Sequence, residues 1–412
     1  MSVKKYYRLF GALCCLIYFT SYITRINFGA VVAEIVEAEG IAKSALSIVV
    51  MMGFISYGSG QILSGMLGDV ISPKNLIFAG LMVTSVCNFT MPFGRTIPLM
   101  AVVWFINGLA QAFMWPPLMK LLTRHLDGKV FGQVVTNVSA AASVGTIFVY
   151  LAAPVLIRVQ SWRSVFYFAG SVGILVAIIW MISLPGIIRK LPVVVLQDHS
   201  AAECEAQQKG STLPTSIRTI FKQYGLAMIC LAIAAQGILR DGITTWIPSF
   251  IAEVFEMEAA SSILASVVLP IMSIISLKLF DYIYQKLTRN EVKFSAGLFG
   301  VAAALIVLWS VFYEKSVLLS VLLAAVVVGM AHGINLMLIC VVPKRFVGCG
   351  KESLLSGILN AFTYVGSALS AYGLVKVSEI AGWQATIWTW AVVAVVGMVL
   401  CGLCMKRFKD RV

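Results

Sequence analysis

Two arginines lie deep inside long apolar stretches of the sequence, Arg25 within residues 8–33 and Arg240 within residues 221–252. An arginine at the centre of a membrane helix costs about 2.5–3.5 kcal/mol on insertion scales, so it must face a wet cavity or a partner. The guanidinium fork matches carboxylate and phosphate groups with two parallel hydrogen bonds. The pair therefore predicts an anion site, with pairing to an acid or to helix-end carbonyls as the structural alternative.

Asp241 directly follows the second arginine, Arg240. Neighbouring side chains on a helix point about 100° apart, so we expect that these two charges do not simply neutralise each other. Three roles stay open for Asp241: it orients the site, takes up a proton, or pairs with another helix.

Further polar and aromatic residues are predicted to line the same site. Together with the two arginines, the candidate substrate-binding residues are Tyr22, Asn27, Gln61, Lys120 and Trp246. Lys120 follows Trp115-Pro-Pro117, whose prolines are expected to kink the fourth helix. Extension of the Lys120 side chain to the membrane surface is the alternative interpretation.

A second acid, Asp69, is predicted to act in coupling or gating together with Asp241. It ends the stretch Gly65-Met-Leu-Gly-Asp69 at an inner junction between two helices. An acid there can cap the N-terminus of a neighbouring helix, and this contact must break when the two halves of the protein tilt.

The elements that position these residues are apolar helices. Of the 412 residues, 60% are hydrophobic and 12% are charged, whereas a soluble domain is about half apolar and about a quarter charged. A spanning helix needs about 20 apolar residues. An all-α polytopic membrane protein with twelve transmembrane helices is therefore predicted, with spans near 8–33, 43–68, 73–93, 97–123, 130–157, 163–185, 221–252, 259–284, 291–312, 316–343, 350–376 and 382–405.

Lysines and arginines concentrate in alternate connections of this pattern. With the N-terminus placed inside, 21 of the 31 fall in inner segments and six in outer segments. Inner loops are enriched in these residues, so a multi-pass protein of the inner or plasma membrane with both termini cytoplasmic is predicted. The net charge of +13 is then a topology signal, and no nucleic-acid partner is expected.

A polar stretch divides the chain into two predicted six-helix bundles, residues 1–185 and 221–412, joined by a cytoplasmic linker at 186–220. The halves show a weak internal repeat at a shared offset of 221 positions. The matched pairs include Gly108 with Gly329, Val144 with Val365, and Gly145 with Gly366. Parallel six-helix repeats on either side of an inner linker are typical of major facilitator transporters.

The sequence contains no motif for nucleotide-driven pumping, for metal binding or for catalysis. There is no phosphate-binding Gly-x-x-x-x-Gly-Lys loop, which argues against direct nucleotide-driven pumping. His125, His199 and His332 do not form a metal set, and Cys401 and Cys404 are a single pair. We therefore predict no metal, no cofactor and no enzymatic activity.

Four stretches together resemble the organophosphate:inorganic phosphate antiporters of the major facilitator superfamily, the family of glycerol-3-phosphate and hexose-phosphate carriers. The stretches are Arg25-Ile-Asn27-Phe28, Asn107 to Gln111 with Trp115-Pro-Pro117, Leu239-Arg-Asp-Gly with Trp246-Ile-Pro248, and Gly357 to Tyr364-Val-Gly-Ser. The resemblance covers essentially the whole chain. It implies alternating access, exchange for inorganic phosphate, and phosphate binding by Arg25 and Arg240.

The sequence departs from that family at four places around the site. Ile26 stands where a second basic residue is frequent, Gln61 lies near a frequent lysine, and Ala141 lies near a frequent histidine. The acid of helix 7 is usually farther along than Asp241. A proton-coupled symporter of an organic carboxylate, with Asp241 as the coupling acid, is therefore the alternative. A transporter-shaped anion sensor is a further class, and the protein is expected to be a monomer in membrane lipid.

Overall fold

The computed structural model of the chain describes residues 3–126, 128–192, 217–288, 290–349 and 352–409, and these residues are almost entirely helical. The chain divides into two compact units. The first comprises Met1–Leu196 and Ile251–Pro270, and the second comprises Gln197–Phe250 and Ile271–Val412. Residues 251–270, which the sequence pattern assigned to the second bundle, thus pack with the first unit. Residues 193–216 of the predicted linker lie outside the described residues.

Seven helices build most of the first unit. They are α1 (Val3–Glu39), α2 (Lys43–Val70), α3 (Pro73–Thr90), α4 (Ile97–Gln111), α5 (Trp115–His125), α6 (Gly128–Val159) and α7 (Trp162–Ile188). The predicted kink is confirmed as a break between α4 and α5. It lies just before Pro116 and Pro117 because proline has no backbone N–H to continue the hydrogen-bond ladder.

Most of the remaining helices lie in the second unit. Helices α9 and α11 each have one end in the first unit, and α10 lies entirely in the first unit. The remaining helices are α8 (Ile217–Tyr224), α9 (Leu226–Val254), α10 (Ala259–Ala265), α11 (Val268–Leu287), α12 (Glu291–Phe312), α13 (Val317–Asn335) and α14 (Glu352–Lys409). A π-helical segment, Leu336–Val341, follows α13. Gly382, with a φ of 78°, separates two helices within α14.

Ten stretches of the described residues are long and apolar enough to cross a membrane. The last of them, Leu355–Phe408, contains the two helices that meet at Gly382. Helix α2 is not among the ten, although its 28 residues exceed the length that one span requires. With α2 included and Leu355–Phe408 counted as two helices, the described residues contain the twelve predicted spans, and the all-α membrane fold is confirmed.

Ion pairs help to attach residues 251–270 to the first unit. Lys43 at the start of α2 lies 2.7 Å from Glu253, and its side chain is largely buried. Arg158 near the end of α6 lies 3.0 Å from Glu258. This second pair is exposed, so it contributes little on its own.

A buried ion pair in the second unit joins the start of α12 to the end of α14. Arg345 donates to Glu291 Oε2 at 2.8 Å and also to the backbone carbonyl of Phe408. Asn290 adds a hydrogen bond of 3.0 Å to the carbonyl of Met405. Glu291 is completely buried, so its charge depends on this partner.

Two glycines pack helices against each other in the same way in each unit. A Cβ atom on Gly145 of α6 would lie closer than 3.0 Å to the carbonyl oxygen of Phe19 on α1. A Cβ atom on Gly366 of α14 would approach the carbonyl oxygen of Ala234 on α9 even more closely. Small residues permit such backbone contact between membrane helices, and the contacts support the predicted repeat.

These contacts show which positions of α1 and α9 are equivalent in the repeat. The offset of 221 positions does not hold for these two helices. Phe19 and Ala234 occupy equivalent places because each meets the equivalent glycine. Arg25 lies six residues after Phe19, and Arg240 lies six residues after Ala234. The two arginines therefore stand at equivalent positions, each within its own unit.

Candidate functional site

In the first unit, Arg25 lies against aromatic rings. Its guanidinium carbon is 3.8 Å from the ring centre of Tyr57 on α2 and 5.6 Å from that of Tyr22 on α1. A cation over an aromatic face is attracted by the ring quadrupole, by about 2 kcal/mol when the contact is desolvated. Because a ring carries no net charge, this contact holds the guanidinium without neutralising it.

The aromatic series continues from Arg25 toward α5. The ring centres of Tyr22 and Tyr18 are 5.5 Å apart, and those of Tyr18 and Trp115 are 4.9 Å apart. Lys120, another predicted site residue, lies on α5 with an exposed side chain. The structure thus brings predicted Tyr22 to Arg25, and it adds Tyr57 and Tyr18, which the sequence analysis missed.

Gln61 lies four residues after Tyr57 on α2, so the two side chains share one face of that helix. Its Nε2 atom is buried and has no hydrogen-bond partner within the described part of the chain. A buried amide donor without a partner costs about 1–3 kcal/mol, and a bound ligand oxygen would remove that cost. A place for Gln61 in the site stays a prediction, which this unpaired donor supports.

In the second unit, Arg240 forms a two-point ion pair with Asp241. The Nε–Oδ1 distance is 2.7 Å and the Nη2–Oδ2 distance is 2.8 Å. The expectation that adjacent helix positions keep these charges from neutralising each other is wrong. The angle between neighbouring Cα–Cβ bonds does not limit a long arginine side chain, which folds back and reaches the carboxylate.

Side chains from two other helices surround this ion pair. Ser367 on α14 donates a hydrogen bond to Asp241 Oδ2, and His332 on α13 lies within electrostatic range of both charges. On α9 itself, the Thr244 hydroxyl donates to the Arg240 carbonyl at 2.7 Å. The arrangement therefore presents a held guanidinium whose charge is offset by Asp241.

Asn27 lies in the packed interior of the first unit. Its Nδ2 atom donates to Asn88 Oδ1 at 2.7 Å, and Asn88 donates to the Thr24 carbonyl at 3.0 Å. Gln111 accepts from Ser21 at 2.6 Å and donates to Thr24 Oγ1 at 2.8 Å. These buried bonds join α1 to α3 and α4. Asn27 is buried, and its amide nitrogen takes part in this helix packing, so its role in lining the site stays a prediction.

Of the two remaining predicted residues, one is buried and the side chain of the other is not described. Trp246 on α9 is 1% exposed, so it packs inside the second unit and does not line a wet surface. Asp69 belongs to α2, but its side chain lies outside the described residues. Among the described residues there is no cluster of His, Cys, Asp and Glu that would hold a metal ion.

A chain of apolar spans in which each unit carries a partly buried arginine at the equivalent place has the architecture of a secondary membrane transporter. A sequence profile of the Major Facilitator Superfamily matches residues 14–371. The chain belongs to that superfamily, and the predicted superfamily is thereby confirmed. It is a multi-pass membrane transporter and not an enzyme.

Individual relatives are distant but extend over most of the chain. A probable hexose phosphate transport protein of Chlamydia muridarum is 22% identical, over 88% of this chain and 83% of the relative. The membrane sensor protein UhpC of Salmonella typhimurium is 23% identical, over 88% and 83% respectively. A solved bacterial homolog of the human lysosomal transporter Spinster aligns with a TM-score of 0.78 at 16% identity, over 98% of each chain, which shows the shared fold.

Proposed function

We propose that this transporter exchanges a phosphorylated metabolite for inorganic phosphate by alternating access. The observation that carries the proposal is the equivalent placement of Arg25 and Arg240, each six residues after the same helix contact. Guanidinium groups bind tetrahedral phosphate oxygens through paired hydrogen bonds. Similarity to a hexose phosphate transport protein supports a phosphate ester as the substrate class.

In this proposal, Arg25 and Arg240 both bind the phosphate group. Tyr57 and Tyr22 hold the guanidinium of Arg25, and Gln61 supplies an amide donor from the face of α2 that carries Tyr57. Lys120, which is exposed on α5, supplies a further positive charge for the anion. Asp69 keeps its proposed part in gating, and the transporter works as a monomer.

Reconstituted vesicles test the exchange. Vesicles preloaded with inorganic phosphate are expected to take up radiolabelled hexose phosphate much faster than empty vesicles, because the return step requires a bound anion. A pH gradient across empty vesicles is expected to drive little uptake. Rapid proton-driven uptake of a carboxylate into empty vesicles, lost in Asp241→Asn, would instead establish the symporter.

Similarity to a membrane sensor protein favours one second candidate, an anion receptor that does not transport. Such a receptor would bind hexose phosphate in a calorimeter and yet show no exchange in the preloaded vesicles. The two assays on one preparation therefore separate a transporter of phosphate esters from a sensor of them.

We also propose that both termini and the segment 186–220 are cytoplasmic, because lysine and arginine concentrate in those segments. A single cysteine at Ser200, in a variant without the native cysteines, is expected to resist a membrane-impermeant thiol reagent applied to intact cells. A cysteine at Arg95, exposed between α3 and α4, is the matched control and should label readily. Labelling at position 200 and protection at position 95 would show that the orientation is the opposite of the one proposed.

A further inference from the structure

We infer that Asp241 is an internal competitor for Arg240, which the transported anion displaces, and that it thereby sets the affinity and charge preference of the site. The inference rests on the proposed function, since it assumes that Arg240 binds the transported anion. It assigns to Asp241 a role in ligand selection. Anion binding by the two arginines does not by itself require this role.

The geometry of the ion pair supplies the first step. Asp241 engages the Nε and Nη2 groups of Arg240 at 2.7 and 2.8 Å. Those two N–H groups point in parallel from one edge of the guanidinium, and this edge is one of the two that can bind two oxygens of a phosphate or carboxylate. An anion on that edge and the Asp241 carboxylate therefore exclude each other. The two side chains are 14% and 17% exposed, so the pair is not completely buried.

A second hydrogen bond makes displacement of Asp241 feasible. The hydroxyl of Ser367 donates to Oδ2 from α14, whereas Arg240 lies on α9. Asp241 can thus turn away from the guanidinium and keep one hydrogen bond from a different helix.

The charges give the direction of the effect. Arg240 and Asp241 together carry no net charge, so an incoming anion meets a guanidinium that already has a counter-ion. Removing the carboxylate frees the fork of Arg240 and adds one positive charge to its surroundings. Coulomb attraction grows with the charge of the ligand, so a dianion gains more than a monoanion of the same shape.

A matched pair of ligands tests this inference. The phosphate and sulfate esters of one hexose share a tetrahedral head group, but only the phosphate ester carries close to two negative charges near neutral pH. Binding of each ester to the purified full-length protein is measured by calorimetry. Asp241→Asn is expected to bind the phosphate ester about 10- to 100-fold more tightly than the wild type, the size of one charge-assisted hydrogen bond. The sulfate ester is expected to gain less.

Asp281→Asn is the matched control, because it removes a negative charge from an exposed position on α11 and should leave both affinities at the wild-type value. Unchanged or weaker phosphate ester binding by Asp241→Asn overturns the inference, while binding by the wild type preserves the proposed function. If the wild type binds neither ester, both are overturned. Should Asp241→Asn fail to fold, infrared difference spectra of the wild type decide: a shift of the carboxylate bands on ligand binding supports displacement, and its absence overturns it.

Discussion

Arg25→Ala is expected to weaken binding of a phosphate ester by about 2–5 kcal/mol, roughly 30- to 4,000-fold in Kd. The reason is that Arg25 rests on Tyr57 at 3.8 Å, and this contact positions the guanidinium without offsetting its charge. Its loss removes the fork and the positive charge together. Folding should survive or improve, because removal of a charge from a membrane span relieves an insertion cost.

Conservative variants separate charge from geometry at this position. Arg25→Lys keeps the charge but loses the planar fork, so it should still impair binding. Tyr57→Phe keeps the aromatic face and should bind nearly as the wild type does, whereas Tyr57→Leu should lose up to about 2 kcal/mol.

Ligand-induced thermal stabilisation of the purified protein measures all of these variants. Arg95→Ala is the control, since it removes an exposed arginine outside the spans and should keep the full ligand shift. If both arginines bind one ligand, as proposed, the double change Arg25→Ala with Arg240→Ala should cost less than the sum of the two single changes. Wild-type ligand shifts in both single variants would show that the arginines have a structural role instead.

The second large effect is expected in stability. Glu291→Gln should destabilise the folded protein by about 3–5 kcal/mol, because it leaves the guanidinium of Arg345 without its carboxylate in a buried place. Glu291 is completely buried, and its partner also donates to the carbonyl of Phe408 at the end of α14. The variant is therefore expected to loosen the attachment of α14 to α12.

Thermal unfolding in detergent measures this loss. Glu379→Gln is the matched control, because Glu379 pairs with Lys376 at 3.3 Å on the surface, and such a pair contributes at most about 1 kcal/mol. Replacing both partners, as Glu291→Gln with Arg345→Met, should recover much of the stability since no charge is left unpaired. Unfolding of Glu291→Gln at the wild-type temperature would contradict the expected role.

The sequence was sufficient to predict the spans, because apolar length is a property that can be measured along one dimension of the chain. It also predicted the break at Trp115-Pro-Pro117, since proline acts locally. It did not predict the π-helical segment Leu336–Val341. That segment depends on packing in the second unit and leaves no periodic pattern in the residues.

The contacts of the two arginines could not be predicted from the sequence. The helical angle between Arg240 and Asp241 describes Cβ directions and not the reach of a long side chain. Tyr57 could not be singled out because an aromatic residue in an apolar span resembles any other core residue. Ser367 ends the stretch Tyr364-Val-Gly-Ser, and nothing in one dimension shows that its hydroxyl meets a carboxylate.

The glycine contacts also constrain how the sequences of the two halves can change in evolution. Val144 and Val365 directly precede Gly145 and Gly366, and their side chains are 47% and 50% exposed. One residue of each pair touches a neighbouring backbone and tolerates no side chain, while the other accepts almost any apolar one. Two adjacent codons in each half therefore evolve under opposite constraints, and a duplicated ancestor would keep the glycine long after its neighbours had drifted.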